Sequence, residues 1–526
     1  MRVAELVRRT ARGTGRFLAA HGLFLAALAG AVALRWIAIL GFPWIFWFGD
    51  SRTYLNAAIQ FAPDDLRPSG YSVFLWALRP FESWTVVLAV QHALGALTGV
   101  MVYAIVWRGL RAGRPRWRPW APGLVATPVT LPVLYDAYQI QLEHMLMSDG
   151  LFTFLLTAGV TLVLWRRRVS WWAAAPAGLA LGAAAMVRSV GLPLIAVVLF
   201  CMLLRRAGWR ALVSVVAGVA VPLLLYLHWF HGTWGVHTFT KSDQIWMYGR
   251  VVDFARCDVI KPRPELEVFC MDHVPPRPRV PARAYQAMWT SDTPFRHFPE
   301  DKRSVRANEL AGEFVKEAIA KQPGDYLNVV VRDTLRAFEW KREDYPTPWT
   351  VAQYDFPVGA SQSDMQRLYL DWYTNGRPVI HRVVEPQGAW MRDYQHTFYL
   401  RGPFLGIYML VGLAGVLLRV RRLGGPVLLP WGIALALLVV PAATADFDYR
   451  YLLPCIPFAV LAAGLTLARE PRAVAHAPAR SGPEAAGEPE AADAPETFDD
   501  PEAPDEPETS EGPEAAEESE HEGQRA

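Results

Sequence analysis

The chain has 526 residues, of which 52% are hydrophobic and only 19% charged; it carries 21 tryptophans and its mean hydropathy is positive. That balance excludes an ordinary soluble protein and puts the chain in the membrane class. A net charge of +2 conceals an asymmetry, because residues 481–526 hold 17 acidic residues and one arginine, leaving 51 basic against 33 acidic residues elsewhere. The basic excess sits in short loops, where it reads as membrane topology and calls for no nucleic-acid partner.

Apolar runs long enough to cross roughly 30 Å of hydrocarbon predict an all-α polytopic fold of about ten transmembrane helices. The runs lie near 17–41, 84–107, 121–135, 149–165, 171–187, 190–204, 211–230, 400–418, 426–442 and 451–468. The first is no cleavable signal peptide: it is long, lacks a small-x-small site, and is interrupted by Arg35-Trp36. Arginine bias in short loops sets orientation. Arg2, Arg8, Arg9, Arg12 and Arg16, "RGLRAGRPRWR" (108–118), "RRR" (166–168), "RRAGWR" (205–210) and "RVRR" (419–422) all fall on one side if both termini are cytoplasmic. The expected localisation is therefore the plasma membrane, multi-pass.

Four parts follow in chain order: a seven-helix bundle (1–230), an extracytoplasmic loop domain of mixed structure (231–397), three further spans (398–469) and an acidic cytoplasmic tail (470–526). A loop that long needs structure of its own. "SVRANELAGEFVKEAIAKQ" (304–322) sets Leu310, Phe314 and Ile319 near one helical face, and "DYLNVVVRDTLRAFEW" (325–340) continues the pattern. The tail from Ser481, rich in Pro, Ala and Glu, cannot bury enough apolar surface to fold and is expected to be disordered.

Of four cysteines, Cys201 and Cys455 lie within spans as small hydrophobes. Cys257 and Cys270 share the extracytoplasmic loop at a separation a disulfide can close; two free thiols are the alternative. No CxxC or Cys/His zinc spacing is present.

Charge on the outer face carries the functional signal, because arginine is scarce there and ionisable groups at membrane depth default to function. Four loops contribute. The first holds Asp50, Arg52, Asp64, Asp65 and Arg67; "YDAYQIQLEHMLMSD" supplies Asp136, Glu143, His144 and Asp149; "MVRSVGLP" supplies Arg188; "ADFDYRYLLP" supplies Asp446, Asp448 and Arg450. Together they predict an outward cavity for a substrate bearing phosphate and hydroxyls, since the planar guanidinium pairs two phosphate oxygens. The neighbouring aromatics Trp44, Trp47, Tyr54 and Tyr71 suit the apolar faces of sugars. His144, His228 and His231 read as interface residues rather than metal ligands.

The ordered motifs "GDSRTYLNAA", "RPSGYSVFL", "MSDGLFTFLL", "MVRSVGLPL" and "FDYRYLLPCIPF" resemble those of membrane glycosyltransferases with the C-type fold, among them protein O-mannosyltransferases and lipid A aminoarabinose transferases. The likeness covers 17–230 and 398–468; the Ala/Arg/Pro-rich style also resembles high-GC actinobacterial proteins. It implies C-type glycosyltransferase architecture, a donor sugar on polyprenyl phosphate held in the lipid bilayer, and an acceptor (protein, polysaccharide or lipid) approaching from outside. By resemblance the acidic residue after the first span, Asp50, is the catalytic base, and Arg67 before the proline serves the donor phosphate. The chain departs from relatives at Leu66 and Ser51, where some carry acidic residues.

The chemistry agrees with that reading. A carboxylate against a hydroxyl proton is a general base, and a departing polyprenyl phosphate needs preorganised cations. An inverting single displacement then uses Asp50 as base and Arg67, Arg188, Arg450 and Arg52 as phosphate ligands. Asp149, Tyr54, Tyr71 and Asp448 orient the acceptor or support the site, and Asp446 and Asp448 are placed to pair with Arg450. No cofactor is required by the pattern, and a divalent cation at Asp149 stays open. The alternative is a transporter or flippase of polyprenyl-linked sugars, against which stand the lack of internal duplication and the clustering of ionisable groups at one face.

Overall fold

The computed structural model describes residues 2–166, 169–271, 281–359 and 362–468, with side chains from residue 13 onward. The acidic tail from Ser481, and Arg167 and Arg168 of the third basic loop, lie outside the described residues. All ten apolar runs form helices: Arg2–Gly41, Trp84–Gly113, Ala121–Tyr135, Asp149–Leu164, Trp171–Val187, Gly191–Leu204, Trp209–Trp234, Gly402–Leu417, Leu428–Thr444 and Ile456–Leu467. Local chemistry starts and stops them. Ser83 accepts a hydrogen bond from the Val86 amide at the head of Trp84–Gly113, and Gly235, at φ +73°, ends Trp209–Trp234.

Length separates these helices into classes. Five stretches are long and apolar enough to cross a membrane, and the bent pair Gln387–Thr397 and Gly402–Leu417 would make a sixth. Ala121–Tyr135, Asp149–Leu164, Trp171–Val187 and Gly191–Leu204 are shorter. At 15 residues, Ala121–Tyr135 is only about 22 Å long, less than the hydrocarbon thickness. The chain is thus a helical membrane protein with several apolar helices.

Between Trp171–Val187 and Trp209–Trp234 the backbones meet at small residues. A Cβ on Gly178 would lie 3.0 Å from the Gly218 Cα, so both positions need glycine for the close approach. An ion pair is buried deeper in the bundle. Arg35, the charge that interrupts the first apolar run, donates Nε (2.8 Å) and Nη2 (2.9 Å) to Glu143, and His92 Nδ1 lies 3.0 Å from the same carboxylate. His144 Nδ1 is 3.1 Å from His92 Nε2, and its Nε2 is 2.7 Å from the Phe42 carbonyl. His144 is therefore a fully buried residue of the bundle interior, not an interfacial one.

The long polar segment carries short helices where its amphipathic pattern predicts them, and no strand occurs among the described residues. Its helix Val305–Lys321 is capped by Ser304, which accepts from the Ala307 amide, and it buries Leu310 and Phe314. These side chains pack with Tyr248, Phe269 and Phe295 in a second apolar core, beside a Cys257–Cys270 disulfide. Residues Met1–Pro471 form one compact unit that includes this segment and the apolar helices.

Candidate active site

The first loop is stitched to the segment before Asp149. The Phe46 amide donates to the His144 carbonyl (3.0 Å) and the Leu146 amide to the Phe46 carbonyl (2.9 Å). Ser51 Oγ donates to the Leu146 carbonyl at 2.9 Å, and the Tyr54 hydroxyl lies 3.1 Å from Ser148 Oγ. These bonds bring the loop bearing Asp50 alongside the N-terminus of the helix that begins at Asp149. Asp50 stands at the N-cap of Ser51–Gln60, yet its side chain makes no capping bond and is left for other partners.

Those partners are guanidiniums from opposite ends of the chain. Arg67 Nη2 donates to Asp50 Oδ1 at 2.7 Å, and Arg450 Nη1 donates to Asp50 Oδ2 at 3.2 Å across 400 residues of sequence. Burial raises the Asp50 carboxyl, but the fields of Arg67, Arg450 and Arg188 outweigh it and hold the group below the usual carboxylate range. Arg450 also lies 3.4 Å from Asp448 and 4.8 Å over the Phe48 ring. Asp448 in turn accepts from the Tyr354 hydroxyl at 2.7 Å through both oxygens. Burial still leaves that carboxyl raised, with Arg450 opposing.

Arg188 follows the helix Trp171–Val187 in extended backbone and pairs with the buried Asp149. Gly70 of the "RPSGY" element explains why it arrives there. A Cβ on Gly70, the first residue of the helix Gly70–Leu78, would lie 2.7 Å from the Met186 carbonyl carbon, so only glycine lets it press against the last helical residues before Arg188. Tyr451 lies beside both cations, 5.2 Å from the Arg188 guanidinium and 5.3 Å from that of Arg450.

Asp50, Arg67, Asp149, Arg188, Asp448 and Arg450 thus gather as three guanidiniums interleaved with three carboxylates. Other candidates lie elsewhere. Arg52 points away, donating to the Tyr369 hydroxyl at 3.2 Å, so the structure does not bring it to the cluster. Tyr71 is buried and donates to Gln91 Oε1 at 2.6 Å, touching the site only through its edge-on contact with Tyr54. Asp64 accepts from the Leu66 and Arg67 amides and shapes their turn, its carboxyl pushed up to about 6 mainly by burial. Asp65 faces Lys241 and Arg303, while Asp136 caps Ala137–Glu143 and accepts from the Leu400 amide. Glu143 and His144 turn inward, as described above.

Asp446 does not pair with Arg450. It accepts from the Tyr345 hydroxyl and sits with Asp253 and Asp333 close enough to surround an ion. Guanidiniums neutralise that group: Arg250 reaches Asp333 (2.5 Å) and Asp253 (2.6 Å), and Arg332 and Arg336 add contacts of 3.0 and 3.1 Å. We read it as a partly buried ion-pair network. The exposed His231 stacks on His237 at 4.0 Å, and neither it nor His228 joins a metal-ligating group among the described residues. Phe48, Tyr354, Tyr451 and Trp246, which lies 4.3 Å from the Arg67 guanidinium, went unrecognised in the sequence. Phe48, beside the first motif, and Tyr451, within the last, could have been marked by position; Trp246 and Tyr354, in the long polar segment, carry no such signal.

No family model matches the chain, and no curated protein sequence does. Among solved structures, ArnT from Cupriavidus metallidurans bound to undecaprenyl phosphate is 13% identical, with 85% of this chain and 78% of that chain covered and a TM-score of 0.30. The apo state of the same protein is 14% identical, with 85% and 77% covered and a TM-score of 0.29. Scores of this size do not establish a common fold.

Proposed function

We propose that this chain is an integral-membrane glycosyltransferase of C-type architecture that moves a sugar from a polyprenyl-phosphate donor to an acceptor hydroxyl on the extracytoplasmic face. One observation carries the reading: a buried carboxylate, Asp50, lies within hydrogen-bond reach of two arginines that come from motifs 17 and 400 residues away. Such a pairing supplies both a proton acceptor and cations for a phosphate leaving group.

The self-pairing has a mechanistic consequence. A donor phosphate competes with Asp50 for the Arg67 and Arg450 donors, and the planar forks suit its oxygens. With those donors engaged by phosphate, Asp50 regains basicity next to the acceptor hydroxyl. The base takes the hydroxyl proton, the acceptor oxygen bonds to the anomeric carbon from the face opposite the phosphate, and the polyprenyl phosphate leaves with the electron pair. Arg188, held by Asp149, completes the cationic wall, and Tyr354 fixes Asp448 and through it Arg450.

The test is transfer itself. Membranes containing the chain, incubated with radiolabelled polyprenyl-phosphate sugars, are expected to pass label to a polymer, protein or lipid fraction with inversion at the anomeric carbon. A retained anomeric configuration would contradict the single displacement. Movement of intact labelled donor across sealed vesicles without label transfer would favour a flippase.

A further inference from the structure

The donor-phosphate reading names Arg67 but leaves open what aims its guanidinium. Arg67 lies in a turn, and a long side chain on a turn loses considerable rotamer freedom when it is fixed. Its Nη2 is taken by Asp50 at 2.7 Å. Its guanidinium carbon lies 4.3 Å from the ring centre of Trp246, which belongs to the helix Asp243–Val251 of the long polar segment.

That indole is fastened to the arginine's own backbone through one serine. The Trp246 indole N–H donates to Ser242 Oγ at 3.1 Å, and Ser242 Oγ donates to the Leu66 carbonyl at 3.2 Å. The Lys241 amide donates to the Asp65 carbonyl at 2.7 Å. The same helix buries Ile245 and Tyr248 fully in the core beside the disulfide, and Trp246 packs against that core as well. Trp246 therefore stands on a rigid support and moves with the segment that carries Arg67.

We propose that Trp246 is a positioning residue for the donor phosphate, its indole face holding the Arg67 guanidinium with the fork edge toward Asp50 and the phosphate. The inference rests on the assignment of Arg67 to that phosphate. It makes the polar segment after the seventh apolar helix part of the donor site. A cation over an indole face is held electrostatically by the ring quadrupole, so thinning the ring's electron density weakens the hold without changing its shape.

The experiment measures binding of a short-chain polyprenyl phosphate to the purified full chain in lipid nanodiscs. It uses a series in which Trp246 is replaced by tryptophans carrying one to four ring fluorines, with Arg67→Gln alongside. Arg67→Gln is expected to weaken binding at least tenfold. Across the fluorine series the logarithm of Kd is expected to rise steadily to about three- to tenfold weaker binding. A purely structural indole predicts a flat series, because the fluorinated rings are nearly isosteric; a flat series with an impaired Arg67→Gln would overturn the role of Trp246 alone. Unaltered binding in Arg67→Gln would overturn the phosphate assignment, and this inference with it.

Discussion

Replacing Arg188 by glutamine removes the sole hydrogen-bond donor to the Asp149 carboxylate among the described residues. Asp149 is 0% exposed, its Oδ1 is held by Arg188, and its Oδ2 has no partner among the described residues. Were this pair on the surface, the loss would be about 0–1 kcal/mol. Stranding a buried carboxylate instead costs about 3–5 kcal/mol. The partial exposure of Arg188, 18% of its side chain, matters less, because the penalty falls on the carboxylate left behind. Thermal unfolding of the purified protein in one detergent should show Arg188→Gln strongly destabilised. Asp149→Asn combined with Arg188→Gln should recover most of the loss, since position 149 then buries no unpaired charge, while sugar transfer stays impaired for want of the third cation. If the single variant melts with the wild type, or the double variant is no more stable than the single, the buried-pair argument fails.

Three further outcomes follow from the geometry. The protein packed around Asp446, and after it the charge of Asp253, raise its carboxyl to about 7, against the opposing field of Arg250. The native state then binds more protons than the unfolded chain between about pH 4 and 7, so stability falls as pH rises through that window, and Asp446→Asn should flatten the melting-temperature profile there. For turnover, the acid limb of kcat/KM reports the free enzyme, where two arginines hold the Asp50 carboxyl low; the limb of kcat reports the donor complex and should lie at higher pH. Coincident limbs would argue against donor phosphate drawing those arginines away. Replacing both Cys257 and Cys270 by serine opens a loop closed across 13 residues and should cost about 3 kcal/mol of stability, read as a lowered unfolding midpoint.

The helices were legible because hydrocarbon thickness and the 3.6-residue period leave little freedom: all ten apolar runs are helical, although the first helix begins at Arg2, ahead of its run, and the second continues past its run to Gly113. The motifs bearing Asp50, Arg67, Asp149, Arg188 and Arg450 could be picked out because charge on that face of a membrane protein is costly. What was hidden depended on tertiary partners. Glu143 offers the same carboxylate as Asp149, and His144 another ionisable group, within one short segment, yet Arg35 and His92 draw them into the bundle. Arg52 is two residues from Asp50, but on a helix that spacing turns it to another face, where Tyr369 meets it. Trp246 and Tyr354 sit in the long segment with no periodic signature, and only the fold places one on Arg67 and the other on Asp448.

Asp50→Asn in the purified protein, compared with wild type for donor binding and for turnover, bears most directly on the proposed chemistry. The amide keeps an acceptor for Arg67 and Arg450 but cannot take a proton, so donor Kd should stay the same or tighten while kcat falls by about 10²–10⁴-fold. Turnover near the wild-type rate with folded Asp50→Asn protein would contradict the assignment of Asp50 as the base.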